Sequence, residues 1–105
     1  MPETRTLLNA EREVMLHALG LTPRHDGVMK RWAVRNRFIT DNGSEDCIVW
    51  EGLVAVGYAH HARFIHSPKS TAFRVSLLGM TALGEAIVRR IPLSFRGEEG
   101  KRTYA

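Results

Sequence analysis

Residues 73–83 read FRVSLLGMTAL, in which a β-prone run passes at once into apolar residues at helical spacing. Ser76 stands at the change, and its hydroxyl can accept hydrogen bonds from the free N–H groups of a first helical turn. Gly79 follows at the third helical position, where the missing Cβ lets another part of the chain approach the helix closely. The pattern predicts a strand that ends at Val75 and a helix that Ser76 caps.

The same residues resemble the last strand and helix of winged helix-turn-helix domains. Many such domains read Val-Thr-x-x-Gly-x-x-Ala-Leu at this point, and the matching positions of this chain hold Val75, Ser76, Gly79, Ala82 and Leu83. The resemblance implies an α+β fold, a small winged-helix-like domain. It implies no particular activity.

The size and composition are those of one folded domain. The chain has 105 residues, of which 44% are hydrophobic and 25% are charged, and both fractions are ordinary for a globular protein. No apolar run approaches the ~20 residues that span a bilayer, and the first residues lack the sections of a signal peptide. We expect residues 1–92 to form a single domain and residues 93–105 to form a flexible C-terminal tail.

Apolar spacing and capping residues predict two helices in the first part of the chain. The first runs from a Thr6 cap to Gly20, and a short second helix occupies residues 28–36. Residues 38–40 are either the end of that short helix or a brief strand.

The second part of the chain predicts a helix, a β-hairpin and a last helix. Residues 44–56 form the helix that takes the recognition-helix position of a winged helix. Residues 58–65 and 71–75 alternate as the two strands of the hairpin, here called the wing, and residues 66–70 form its tip. The last helix covers residues 77–91. The predicted order is therefore helix, short helix, helix, β-hairpin, helix.

Three blocks of sequence resemble a group of small phage and prophage proteins of mostly unassigned role. The blocks are LNAER at residues 8–12 with HALGL at 17–21, RNRFIT at 35–40, and LVAVGY at 53–58. The chain departs from the group at residues 67–69, where Ser-Pro-Lys replaces a frequent Gly-Gly-Asp turn. The resemblance implies a phage or prophage origin and a place in the cytoplasm of a bacterial host, which a single cysteine also suits. It implies no defined chemistry.

The most basic part of the chain is a candidate surface for nucleic acid or another acidic partner. The formal net charge is +4, which raises non-specific attraction to nucleic acid. Arginine and lysine contacts to phosphates supply affinity and salt dependence without reading sequence. The alternative is a solvated face that is partly paired with nearby acids. The candidate residues are Lys30, Arg31, Arg35 and Arg37, with Arg63 and Lys69 on the wing.

The helix in the recognition position argues against ordinary operator reading. A helix in the major groove usually offers Arg, Lys, Asn or Gln to the base edges. This helix offers Glu45, Asp46 and Glu51 instead, so its exposed face would repel phosphates. The pattern favours either DNA binding through other surfaces or a winged helix that contacts protein.

Three histidines near the hairpin tip are candidate wing contacts. His60 and His61 are adjacent on a strand and point to opposite faces, so only one of them could join His66 at a metal ion. We therefore expect polar wing contacts at these residues, and neither a metal nor a cofactor.

Sequence motifs of catalysis are missing from the chain, and we do not expect an enzyme. There is no phosphate-binding glycine loop, nucleophile elbow or metal-ligand repeat. Cys47 falls on the inward side of its helix, where cysteine behaves as a small apolar residue.

The leading functional hypothesis is a small phage or prophage regulatory protein that contacts DNA through the basic residues and the wing. The first alternative is a phage-encoded inhibitor of a host defence complex, similar to anti-CRISPR proteins, that binds a host protein or ribonucleoprotein. The second alternative is a minor virion or assembly protein. Either a monomer or a homodimer is compatible with the pattern.

Overall fold

The computed structural model describes residues 5–22, 27–28, 31–62 and 67–96, and within these ranges the chain forms five helices and three strands. The predicted α+β class is confirmed. The elements in chain order are α1 (Asn9–Leu19), β1 (Phe38–Asp41), α2 (Glu45–Ala55), β2 (Ala59–His61), β3 (Ser70–Val75), α3 (Leu77–Ala82), α4 (Glu85–Val88) and α5 (Leu93–Arg96).

The three strands form one antiparallel sheet in the order β1-β3-β2, with β3 in the centre. Phe38 pairs with Phe73 and Ala59 pairs with Val75, so aromatic and apolar side chains share the face that packs against α1 and α2. Trp50 of α2 stacks on Phe73 with ring centroids 5.4 Å apart. This aromatic contact lies at the centre of the core.

Helix α1 begins later than the sequence indicates, at Asn9 with Leu8 as its N-cap, so the predicted Thr6 cap is wrong. The Glu11 carboxylate accepts a hydrogen bond from the backbone N–H of Leu8 at 2.9 Å. Because a glutamate in the third helical position can reach back to the N-cap N–H, the helix needs no hydroxyl at that point. Gly20 ends α1 with a positive φ of 74°, as predicted.

The predicted short helix over residues 28–36 is wrong for the described residues of that range. Residues 33–37 have no regular structure, and the strand alternative for residues 38–40 is correct, since β1 begins at Phe38. Their backbone groups pair with other parts of the chain: the N–H groups of Ala33, Val34 and Arg37 donate to carbonyls outside the segment. These tertiary hydrogen bonds replace the bonds that a helix would have made.

The junction between β3 and α3 matches the sequence prediction. The Ser76 hydroxyl accepts from the N–H of Gly79 at 3.0 Å and donates to the carbonyl of Gly57 at 2.6 Å. A Cβ added at Gly79 would lie 2.1 Å from the backbone oxygen of Tyr58. Only glycine fits there, because the turn before β2 lies directly against α3.

The predicted last helix is not continuous, and this part of the prediction is wrong. It divides into α3 and α4 at Gly84, whose φ of 101° and ψ of 155° belong to a region that only glycine adopts readily. Helix α5 follows Pro92, and Phe95 of α5 packs against the core. Residues 97–105, the remainder of the predicted tail, lie outside the described residues.

Candidate nucleic-acid interface

Residues 31–37, called here the arginine segment, form an exposed irregular stretch between α1 and β1. Ala33 and Asn36 are buried, whereas the side chains between and around them are exposed. Burial at every third position fixes the segment on the domain and turns the remaining side chains outward. The exposed residues are Arg31, Trp32, Val34, Arg35 and Arg37.

Three backbone hydrogen bonds hold the arginine segment on two different neighbours. The N–H of Val34 donates to the carbonyl of Leu19 at 3.2 Å, and the N–H of Arg37 donates to the carbonyl of Ala18 at 3.0 Å. On the other side, the N–H of Ala33 donates to the carbonyl of Arg90 at 2.7 Å. The segment is therefore held between the end of α1 and the residues after α4.

Asn36 fastens the same segment to the sheet. Its side-chain Nδ2 donates to the carbonyl of Val75 at 3.0 Å, and its Oδ1 accepts from the N–H of Val75 at 2.8 Å. Since the backbone N–H of Val75 can only donate, the orientation of the amide is fixed by its partners. The arginine segment thus has a defined conformation in spite of its irregular backbone.

Arg35 lies at the C-terminal end of α1. Its Nη2 donates to the carbonyl of His17 at 2.8 Å, where the partial negative charge of the helix end attracts a cation. This contact uses one of the five N–H groups of the guanidinium. The contact positions Arg35 and leaves it able to bind an anion.

Trp32 is the exposed aromatic residue of the segment, with 51% of its surface in solvent. It was not among the candidate site residues predicted from the sequence. The Arg31 guanidinium lies over the indole, 5.8 Å from the ring centroid. Sequence analysis missed this residue because its exposure depends on the segment not being helical.

Arg90 is a further basic residue beside the arginine segment, and it was not among the basic candidates predicted from the sequence. The hydrogen bond between its carbonyl and Ala33 places it beside the arginine segment, 53 to 59 positions further along the chain than the segment itself. Its Nη1 donates to the carbonyl of Ala86 at 2.9 Å. Only the fold brings the two stretches together.

Lys69 of the wing lies apart from the arginine segment. Lys69 is exposed at the hairpin tip, where its carbonyl accepts from the N–H of Asn42 beyond the end of β1. The arginine segment precedes the other end of β1, and four extended residues measure about 13 Å. The remaining predicted basic residues, Lys30 and Arg63, lie outside the described residues, as does the predicted wing contact His66.

The two described histidines of β2 are engaged within the domain. His60 is half-buried, and the ring of His61 contacts Phe73 in a tilted arrangement with 5.2 Å between ring centroids. The Nε2 of His61 lies 2.9 Å from Oε1 of Glu51, which ties β2 to α2. In the described ranges, no three His, Cys, Asp or Glu residues are grouped so that they could hold a metal ion.

The outward face of α2 is acidic with one large apolar side chain. Ile48 is 66% exposed, and Glu45 and Glu51 lie one turn to either side of it on the exposed surface. Cys47 points the opposite way and is buried. This face has the charge that the sequence predicted for it.

A cleft of about 450 Å³ opens between α1 and the start of α2. Val14, Leu16 and Phe38 give it apolar walls, while Glu13 and Asp46 add two carboxylates. Its chemistry suits a ligand that carries both an apolar part and a positive charge.

Comparison of the chain with family models, with curated proteins and with solved structures gave no match. Within the described part of the chain, none of the helices has the length and apolar character needed to cross a membrane.

Proposed function

We propose that the protein binds nucleic acid through the arginine segment. The observation that carries the proposal is the exposure of Arg31, Trp32 and Arg35 on a segment with a defined conformation. The backbone of this segment is hydrogen-bonded to α1 and to the chain after α4, and its Asn36 side chain is hydrogen-bonded to β3. Among the described residues, neither Arg31 nor Arg35 is paired with a carboxylate. A cation held in place without a counter-charge is suited to a phosphate.

The acidic face of α2 supports this choice of surface over the recognition-helix position. Close approach of Glu45 and Glu51 to a phosphate backbone would be repulsive, and base edges in the major groove are usually read by Arg, Lys, Asn or Gln. The proposal therefore places the polynucleotide on the arginine segment, with Lys69 of the wing as a separate and more distant contact.

The resemblances described above extend the proposal to a biological setting. We propose a winged-helix-like regulatory protein of phage or prophage origin that acts in the host cytoplasm. The hairpin that follows α2 and the central position of β3 support a winged-helix-like arrangement. The irregular arginine segment in place of a short helix is the main departure from that arrangement.

Charge reversal in the arginine segment tests the proposal. The triple variant Arg31→Glu, Arg35→Glu, Arg37→Glu is titrated with duplex and single-stranded oligonucleotides at several salt concentrations. The wild-type protein should bind at low salt and release steeply as salt rises. The variant should bind much more weakly, and each lost phosphate contact should reduce the slope of log K against log salt by about 0.7 on a single strand or about 0.9 on a duplex.

Two single variants provide a charge-matched control. The two substitutions Arg31→Glu and Lys69→Glu change the net charge by the same amount. The two residues, however, lie near opposite ends of β1. If the arginine segment is the binding surface, Arg31→Glu should lose more affinity than Lys69→Glu. Equal losses from the two variants, or full binding by a correctly folded triple variant, would contradict the proposal.

The exposed face of α2 favours a second candidate function, binding to a host protein as a phage-encoded inhibitor does. Ile48 is an exposed apolar side chain among acidic residues, and the cleft lies beside the start of the same helix. These features suit a partner protein that offers an apolar side chain among basic ones. A stable stoichiometric complex with a host protein that is lost on Ile48→Asp, and kept in the triple arginine variant, would establish this function instead.

A further inference from the structure

We propose that Trp32 is a stacking platform for an unpaired base, so that the arginine segment binds single-stranded polynucleotide in preference to duplex. This inference rests on the proposed nucleic-acid function and names the form of nucleic acid that the surface takes. The shared chemistry is a flexible polyphosphate chain with accessible base faces, which single-stranded DNA and RNA both provide.

The two tryptophans of the protein show why the exposure of Trp32 calls for an explanation. Trp50 is fully buried and stacks on Phe73, which is the usual way in which a large aromatic side chain stabilises a fold. Trp32 leaves half of its surface in solvent, on a backbone that is fixed at both Ala33 and Asn36. A rigidly presented aromatic ring among cations is the arrangement by which proteins hold single strands.

The arginines on either side of the ring complete the site. The Arg31 guanidinium already lies over the indole at 5.8 Å from its centroid, in the range of a cation–π contact. Arg35 follows three residues later and is anchored at the end of α1. These two side chains are placed to take the phosphates before and after a base that stacks on Trp32.

The backbone of the segment explains the preference for a single strand. A duplex keeps its bases stacked on each other and offers only their edges, which an α-helix or a two-stranded ribbon can reach in the major groove. The arginine segment is neither of these, and α2, the helix in the recognition position, has an acidic face. A duplex can therefore use the arginines of the segment but cannot use Trp32.

The test compares four probes that carry the same number of phosphates: oligothymidylate, oligouridylate, an abasic oligodeoxynucleotide and a DNA duplex. Binding is followed by tryptophan fluorescence and by a labelled-probe assay. Oligothymidylate or oligouridylate should bind more tightly than the abasic strand and the duplex, and should quench the exposed tryptophan. Oligodeoxyuridylate, which lacks the methyl group of thymine, is then compared with oligouridylate, and a difference between these two decides whether the strand is DNA or RNA.

Substitution of Trp32 isolates the contribution of stacking. Trp32→Ala should lose about tenfold or more of the affinity for the base-containing single strands and should leave the affinity for the abasic strand unchanged. Trp32→Phe keeps an aromatic face and should restore most of the affinity. Urea unfolding of each variant confirms that the loss is not caused by unfolding, since an exposed side chain contributes little to stability.

The outcomes separate this inference from the proposed function. If the duplex and the abasic strand bind as well as the other probes, and Trp32→Ala has no effect, the inference of base stacking on Trp32 is wrong. The proposed nucleic-acid binding is then retained. If no probe binds at low salt, both are wrong. A concentration-dependent dimer in sedimentation experiments that Trp32→Ala abolishes would assign the ring to a contact between two copies and would overturn the inference.

Discussion

The side-chain amide of Asn36 forms the hydrogen bonds to β3 that the backbone of a neighbouring strand would form. In the register of β1 with β3, Phe38 is opposite Phe73, so the position opposite Val75 belongs to Asn36. The amide group of Asn36 satisfies both the N–H and the carbonyl of Val75 at that position. Pairing along β3 thus reaches Val75, two residues beyond the partner of Phe38, the first residue of β1.

We expect Asn36→Ala to lower the free energy of unfolding by about 1–3 kcal/mol. The reason is that the substitution leaves two buried backbone groups of Val75 without partners, and an unsatisfied buried group costs about that amount. Urea unfolding measures the change. Asn9→Ala is the matched control, because Asn9 is exposed in α1 and should change stability by less than about 0.5 kcal/mol. Equal stabilities for the two variants would show that the Val75 bonds contribute nothing.

Single residues with a local signal were predictable from sequence, and those with a tertiary role were not. Ser76 and Gly79 could be recognised because a cap and a missing Cβ act within one turn of helix. The role of Asn36 depends on the register of two strands that are far apart in sequence. No pattern around position 36 contains that information.

Helix α3 and the turn before β2 approach each other closely at Gly79 and Tyr58. Tyr58 donates its backbone N–H to Leu53 and accepts at its carbonyl from Ser76. The same carbonyl oxygen lies where a side chain at Gly79 would begin. The start of α3 and the turn between α2 and β2 are therefore packed backbone against backbone.

Gly79→Ala should therefore destabilise the protein, and Gly52→Ala should stabilise it. A methyl group at Gly79 overlaps the Tyr58 carbonyl and forces α3 to move, at a cost of about 1–3 kcal/mol. A methyl group at Gly52, in the exposed part of α2, meets nothing within 4 Å and gains up to about 1 kcal/mol of helix propensity. Thermal unfolding of both variants checks the two signs. Equal shifts of Tm in the same direction would contradict the packing of α3 on the turn.

The helices and strands were predictable to the extent that local signals determined them. Helix α2, the hairpin and the start of α3 carry caps, turns and apolar periods that agree with the fold. The arginine segment has helical spacing, but its backbone bonds to α1 and to the residues after α4, together with the bonds of the Asn36 side chain to β3, override that preference. In the last helix, the left-handed backbone of Gly84 interrupts an apolar period that would otherwise continue.

One ionic cluster joins the first described residues to the core of the whole domain. Arg5 donates through two guanidinium nitrogens to Glu11, at 2.9 and 2.8 Å, and its backbone N–H donates to the hydroxyl of Tyr58 at 2.6 Å. The hydrogen bond from Arg5 holds the pKa of the buried Glu11 carboxyl below its ordinary value, and burial opposes this effect. The charged form of Glu11 is the one that the folded state stabilises.

The stability of the protein should consequently fall in acid, and Glu11 should account for part of that fall. Because the pKa of Glu11 is lower in the folded state, its contribution is complete above the ordinary glutamate value of about 4.3. It is lost as pH falls through the folded-state pKa, since the unfolded chain then binds the proton more readily. Glu11→Gln should lower Tm clearly at pH near 7, by an amount that shrinks toward zero in acid.

Thermal unfolding of wild type and Glu11→Gln over a series of pH values measures this dependence. Glu13→Gln is the control, since Glu13 is exposed in the same helix. A difference between wild type and Glu11→Gln that stays constant over the acid range would show that the Arg5 pair does not couple stability to pH.

The charges of the candidate interface were predictable from sequence, while its shape was not. The density of arginines at residues 31–37 is a property of the chain alone. The exposure of Trp32, the nearness of Arg90 and the separation of Lys69 from the segment all follow from how the chain is folded. Reasoning from composition thus found the charge of the surface and missed its aromatic residue.

The lengths of the outer strands affect how the protein behaves in concentrated solution. Strands β1 and β2, the two edges of the sheet, have four and three residues, and a free strand edge is where chains add to one another in aggregates. The side-chain amide of Asn36 also bonds to the N–H and the carbonyl of Val75. These two groups are therefore not available to a strand of another chain. We therefore expect folded molecules to resist fibril formation, and aggregation to begin from chains in which β1 has detached and the longer β3 is uncovered.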